Sequence, residues 1–466
     1  MPTSRVLVPA LFALASVAAA ADLPENLSSS ANGNLPPGYL PTSPGGSETS
    51  PGSRLGINGS RTVMVRGLVD LDALSQNNYN DGNDDLSDHR GYGLIRAELG
   101  IKVKMDEKVS AAITVAFYDE AGKTTGEIDP SRTTKGGTVM DDAYIEMKEF
   151  LGFEQLGVLA GRQPFAWNLR EQHGAFLYDS RANDPAVTSW DGVRLGYAGL
   201  LAPGVDVAGY AYRQPDDATL FGAAIDWKPG GAGDNRWFFT GSANLERNVT
   251  LRTLPKNGDG TFQTGDELIT YYAGGEVDFS TLDLFGEFAM QQGDQGNGTT
   301  FGGWGASGGG NLHFQLPQEL ILGVQYDYLT GDQDQTDKKN NAFINNWEAV
   351  SDTLIVEHEK YGELSRYAQG NLEALKLKAG IAFDESNSFR VNGIYGFYRM
   401  NESLGSGTSF GQEADLILTW QYTYNATFNL FGAGFMPGDG FKDVAPGQPA
   451  STDLIYLVGL NLGVVF

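Results

Sequence analysis

Leu454-Ile455-Tyr456-Leu457-Val458-Gly459-Leu460-Asn461-Leu462-Gly463-Val464-Val465-Phe466 is the stretch from which the fold can be read. Its even positions, from Leu454 to Phe466, are all apolar, while the odd ones mix Gly459, Asn461 and Gly463 with Ile455, Leu457 and Val465. A strand sends alternate side chains to opposite faces, so one face here is unbroken hydrocarbon and the other is small and partly polar. Alone, such a strand would also suit a soluble core. Its setting decides: it closes on an aromatic, in a chain with an export signal and no cysteine. The expectation is the closing strand of a membrane barrel, the segment by which outer-membrane insertion machinery recognises its clients.

The export signal is Arg5, an apolar run from Val6 to about Val17, then Ala18 to Ala21, with cleavage expected near Ala20 or Ala21. The apolar run is too short to span a bilayer, and no later segment approaches ~18 continuous apolar residues. A membrane protein of this sequence must therefore be a closed barrel. A net charge of −26 argues against nucleic acid as a partner. Asp22 to about Ser60 is rich in Pro, Gly, Ser and Asn and reads as a flexible periplasmic segment, with little apolar surface to hold it as a plug.

From Arg61 to Phe466, period-2 segments recur. Ile95, Ala97, Leu99, Ile101 and Val103 oppose Arg96, Glu98, Lys102 and Lys104; Ala414, Leu416, Leu418 and Trp420 oppose Glu413, Asp415, Thr419 and Gln421. One alternation is weak, but repetition in segments of about ten residues is the pattern of a transmembrane barrel. Link lengths agree. Asp106-Glu107, Leu201–Gly204, Ser280-Thr281, Pro317–Glu319, Glu385–Asn387 and Asn425 are short. Between them lie long polar links: Ser75–His89, Ala121–Thr138, Pro164–Ser189, Asn248–Asp266 and Asp332–Gln369. The reading is an all-β chain, a single antiparallel transmembrane barrel of about 18 strands with short periplasmic turns and long extracellular loops. The phases of Gln155–Gln163 and Val205–Arg213 are ambiguous.

An ionised side chain facing lipid costs about 2–4 kcal/mol at the midplane, which assigns Arg66, Arg96, Lys102, Lys104, Lys148, Arg194, Lys376, Lys378 and Arg390 to the lumen. Asp70, Asp72, Glu98, Asp142, Glu146, Glu276, Glu287, Asp327, Glu413 and Asp415 share that face. Such charges form either a structural ladder of ion pairs or a selectivity lining, and one wall can do both. The Pro164–Ser189 loop carries Arg170, Asp179 and Arg181 among aromatics and is a candidate inward-folding constriction.

Other motifs are weaker. Gly305-Ala306-Ser307-Gly308-Gly309 matches the nucleophile elbow G-x-S-x-G but lies in a glycine-rich strand pattern, not a strand-turn-helix. The acidic clusters Asp332/Asp334/Asp337 and Asp81/Asp84/Asp85 could offer calcium oxygen ligands, yet neither completes an EF-hand loop, and solvated acidic loops are the simpler reading. No organic cofactor and no His-carboxylate metal cluster is expected.

Four stretches resemble the alginate export family of outer-membrane barrels: Gly161-Arg162-Gln163; Trp190-Asp191-Gly192-Val193-Arg194-Leu195; Tyr328-Leu329-Thr330-Gly331-Asp332; and Gly411-Gln412-Glu413-Ala414-Asp415-Leu416 leading to Met436-Pro437-Gly438-Asp439. The resemblance implies an 18-stranded barrel embedded in outer-membrane lipid, through which an anionic polysaccharide or small polar solutes pass. It implies that Arg162 and Arg194 help form a basic constriction, with Glu413 and Asp415 opposite as counter-charges. A passive channel is the reading, with a barrel enzyme of lipase or protease type, or an adhesin-like barrel, as rivals.

Overall fold

A computed structural model describes residues 53–57, 61–78, 89–121, 137–165, 189–214, 218–229, 237–251, 263–279, 281–296, 298–315, 318–334, 337–345, 352–357, 364, 370–383, 388–403, 405–444 and 452–466. The export signal and the Asp81/Asp84/Asp85 cluster lie outside these residues.

The strands in chain order are β1 (Ser53–Ile57), β2 (Arg61–Asn77), β3 (Arg90–Lys104), β4 (Val109–Ala121), β5 (Gly137–Met147), β6 (Leu156–Gln163), β7 (Trp190–Tyr197), β8 (Val205–Arg213), β9 (Thr219–Trp227) and β10 (Trp237–Leu251). They continue as β11 (Gln263–Asp278), β12 (Leu282–Gly296), β13 (Thr299–Phe301), β14 (Trp304–Gln315), β15 (Glu319–Leu329), β16 (Lys339–Asn340), β17 (Leu372–Ala382), β18 (Phe389–Met400), β19 (Ser409–Thr423), β20 (Ala426–Pro437) and β21 (Ile455–Val465). Without β1, β13 and β16, 18 strands form a closed antiparallel barrel in which each pairs with its chain neighbours and β21 returns to β2. The expected strand number therefore stands, and the two segments of uncertain phase are strands β6 and β8.

Closure is built as the terminal pattern implied. Leu71 to Ser75 on β2 pair with Leu462 to Val458 on β21. Leu454, Tyr456, Val458 and Leu460 face outward and are exposed, whereas Ile455, Leu457 and Asn461 are buried in the interior. Phe466 exchanges backbone bonds with Gly67, at 2.7 and 2.9 Å. A Cβ at residue 67 would overlap the Phe466 ring, so this glycine leaves a gap in the outer belt that the terminal aromatic fills. Below that point β1 takes over as the partner of β2, Ser53–Ile57 against Val65–Arg61, so pairing begins inside the segment expected to be flexible.

The outer face carries the apolar phase: Leu71, Ile101, Ile113, Val115, Phe221, Leu322, Leu377 and Leu416 are exposed, while Asp70, Arg96, Glu98, Thr114, Asp327 and Lys376 are buried in the lumen phase. In water this arrangement would be inverted; in lipid it is the stable one. Stacked aromatics mark both interfaces, Trp227/Phe239 and Trp420/Phe428 toward the short turns, Trp304/Tyr328 toward the long loops. Two links are shorter than expected, because β2 runs on to Asn77 and β10 and β11 extend to Leu251 and from Gln263.

Candidate functional site

Two charged clusters line the lumen. The first is a ladder on β2–β5. Arg66 bonds Asp142 at 3.2 Å and Thr114 at 3.2 Å. Arg96 bonds Glu98 at 2.5 Å and Asp141 at 3.2 Å, and Lys102 bonds Glu146 at 3.1 Å. Asp141 and Asp142 are both buried because the β4–β5 register shifts between Thr114 and Val115, turning two successive carboxylates toward the arginines.

The second cluster surrounds a chain segment folded into the lumen. Asp352–Glu357, reading DTLIVE, belongs to the long link after β15, and all six residues are buried. Glu413 on β19 accepts the N–H groups of Ile355 (2.6 Å) and Val356 (2.9 Å), and Asp415 accepts that of Leu354 (3.0 Å). Glu357 accepts the N–H groups of Asp352 (2.9 Å) and Thr353 (3.2 Å), so five successive backbone donors end on carboxylates. Lys376, only 1% exposed, contacts Asp327 at 2.7 Å, Asp352 at 2.5 Å and Glu357 at 3.0 Å. Lys378 adds Asp352 at 2.5 Å and Gln325 at 2.9 Å. Three carboxylates around two ammonium groups make a compensated buried site, the condition under which charges persist away from water. Burial raises the Asp352 carboxyl, but Lys376 and Lys378 outweigh it and hold it well below the usual carboxylate range. Glu357, beside the same lysine but also near Asp352 and Asp327, is pushed up by burial.

Around the wall from these clusters, Phe165, Trp190, Tyr210 and Tyr212 pack together, with Phe165 ring centroids 4.6 Å from Tyr212 and 4.8 Å from Tyr210. Arg194 stands on the same inward face, opposite Tyr210 in register.

Of the residues assigned to the lumen from sequence, Arg66, Arg96, Lys102, Arg194, Lys376, Lys378, Arg390, Glu413 and Asp415 occupy the inward phase. Arg162 does not. It pairs in register with Asp191, which shares the outward phase of Val193 and Leu195, and binds it bidentately at 2.8 and 2.7 Å on the outer surface. The cause is local: Gly161 sits at φ 121°, and β6 offers no apolar alternation from which to fix a phase. Glu413 and Asp415 also differ from the implied role, since they hold backbone N–H groups of the inward segment rather than facing Arg162. The described ends of the Pro164–Ser189 loop turn inward: Phe165 is buried and Ser189 donates to Asp142 at 2.7 Å. Arg170, Asp179 and Arg181 lie outside the described residues. Sequence reading missed Asp352 and Glu357, although an apolar triplet, Leu354-Ile355-Val356, flanked by acids inside a long polar link signals a segment that must be covered.

Ser307 lies mid-strand in β14, in register with Glu287 and Asp327, and donates to Asp327 at 2.5 Å, so the turn that an elbow needs is not formed there. His313, six residues along the same strand and hence ~20 Å away, bonds Asp283 at 2.6 Å instead. Asp337 accepts the backbone N–H of Lys339 at 2.8 Å, and among the described residues no group of three or more acidic or histidine side chains is placed to hold a metal ion.

Solved structures share this architecture. OccAB4 of Acinetobacter baumannii matches with TM-score 0.54 and 11% identity, covering 87% of this chain and 98% of that one. OccK8 (OprE) of Pseudomonas aeruginosa matches with TM-score 0.55 and 9% identity over 87% and 98%. OpdK of Pseudomonas aeruginosa, solved with vanillate, gives TM-score 0.54 and 10% identity over 86% and 98%. At these identities the likeness is one of fold. No curated protein matches the sequence. The family model described as alginate export matches residues 86–451, and with its closed barrel, apolar outer belt and charged lumen the chain belongs to the alginate export family, as a porin-like channel of the bacterial outer membrane.

Proposed function

We propose that this channel passes small polar and anionic solutes, up to a single extended strand of anionic polysaccharide, passively and without catalysis. The observation that carries the reading is the inward segment Asp352–Glu357, held against the lumen wall by side chains of β15, β17 and β19 and so set to narrow the path. Transport of this kind needs a wet path, weak polar contacts and one constriction that sets size and charge preference. Arg66 on β2 and Arg96 and Lys102 on β3 stand nine strands round the ring from β11 and β12, and so across the lumen from Glu276 and Glu287. The vanillate in the OpdK structure is an aromatic carboxylate, a small anionic solute of the class proposed here. Leu454–Phe466, with its apolar outer face, is proposed as the segment read by the insertion machinery.

Reversal potentials in a KCl gradient test the charge assignment. Arg194→Ala, in the lumen phase, should raise cation preference, whereas Arg162→Ala, on the outer surface, should leave it unchanged. An unchanged potential for Arg194→Ala removes that residue from the selectivity lining.

A further inference from the structure

β21 is the strand at which the two ends of the ring meet, paired with β2 on one side and β20 on the other. No tight turn, the usual device for setting register, joins it to either neighbour. β2 lies at the far end of the sequence, and the long link 438–454 separates β20 from β21. The outer face discriminates little. Leu454, Tyr456, Val458, Leu460, Leu462 and Val464 are all apolar, so a slide by two residues would return hydrocarbon to lipid everywhere except at the Phe466–Gly67 contact.

The inner face is selective. Of the inward positions of β21, odd-numbered from Ile455 to Val465, Asn461 alone carries a polar side chain. It is buried, and its Nδ2 donates to Asp70 at 2.5 Å and to Asp72 at 2.9 Å. A carboxylate only accepts, so the amide oxygen must face the other way. There it accepts from Asn429 on β20 at 3.0 Å, and Asn429 accepts from Thr419 on β19 at 2.8 Å. One row of hydrogen bonds thus crosses the closing seam from β19 to β2 through Asn461. Two residues back, Gly459 lies opposite Leu74 and Phe431, and a Cβ there would overlap the Phe431 ring and come within 2.8 Å of the Leu74 Cδ2. Sliding β21 two residues toward the extracellular side would drive Asn461 into this gap and set Gly463 between Asp72 and Asn429. Sliding it the other way would set Gly459 between them and push Phe466 against Val65, which β1 already pairs. A buried amide forced among apolar neighbours is costly, and a single buried Asn fixes register in coiled coils by the same logic. We propose that Asn461, with the side-chain gap at Gly459 beside it, is the register lock that decides where the barrel closes. Stagger, tilt and diameter are linked in a closed barrel, so the lock also sets the width of the lumen.

The chain has no cysteine, so engineered pairs report the register directly. Leu71 faces Leu462 in the present register, whereas Ala73 would face Leu462 after the extracellular slide. Leu71→Cys/Leu462→Cys and Ala73→Cys/Leu462→Cys pairs are oxidised in outer membranes, where directly opposed residues lie at disulfide distance and diagonal ones do not. With the lock intact, the 71/462 product should dominate. Asn461→Gly removes the amide and fits the gap; adding Gly463→Asn moves the amide two residues along, so that the row reforms only after the slide. In this double variant the 73/462 product should exceed the 71/462 product several-fold, and more barrel should insert than for Asn461→Gly alone. A double variant that still cross-links 71/462 as the wild type does overturns the proposal. So does one that fails to insert, because a relocated amide should restore closure. The cross-link needs no ion flow, so this outcome is independent of whether the barrel conducts.

Discussion

Lys376 shows what a single lumen side chain can hold in place. Its ammonium group faces Asp327, Asp352 and Glu357 at 3.0 Å or less, with almost no solvent contact. Removing one member of a buried charge cluster costs about 3–5 kcal/mol, because the remaining charges lose compensation. Lys376→Ala should therefore lower the temperature at which the barrel loses its heat-modifiable migration, and Lys376→Arg should retain more of it; equal loss in both would mean that shape, not charge, is at stake. Asp352 adds a pH dependence. Its carboxyl is held below its ordinary value of about 3.9, so its contribution to docking is complete above that pH and is lost as pH falls toward the lowered value. Glu357 works in the opposite sense: its raised value favours the docked form below its ordinary range and disfavours it as pH climbs. Conductance of the wild type should rise as pH drops below about 4, and Asp352→Asn should remove that step. The same step persisting in Asp352→Asn contradicts the assignment.

At the level of elements, alternation was enough to find the strands because lipid on one side and water on the other enforce period 2 over ten or more residues. Long strands such as β3 and β19 were legible in both phase and charge. β6 was not: its eight residues include Gly157 and Gly161, so Arg162 could be given a face only by resemblance, and the face was the wrong one. The inward segment was hidden for a different reason. Its partners Glu413, Asp415 and Lys376 come from strands later in the chain, and no local pattern reports where a long link docks. The closing strand gives a direct test of element pairing. Gly67→Val pushes a side chain into the space of the Phe466 ring and should cost about 1–3 kcal/mol, the range for overpacked sites. Deleting Phe466 removes both backbone bonds to Gly67 and the ring over it, and should lower the yield of inserted barrel as well as its stability. Folded fractions from heat-modifiable migration, with membrane yield measured separately, distinguish the two effects; no loss in either variant would remove Phe466 from closure.

For the whole molecule, the outer belt and the charged interior are two faces of one sheet, and function follows from which of them water can enter. The family model and the shared porin fold agree with this reading. The measurement that bears on it most directly is single-channel conductance in planar bilayers, wild type against the Glu413→Gln/Asp415→Asn double variant that loosens the grip on Leu354, Ile355 and Val356. Stable ohmic steps for the wild type, and larger steps for the double variant, are the predicted result. No steps from the folded wild type at any voltage, or steps of equal size from both proteins, would contradict a water-filled lumen narrowed by the segment Asp352–Glu357.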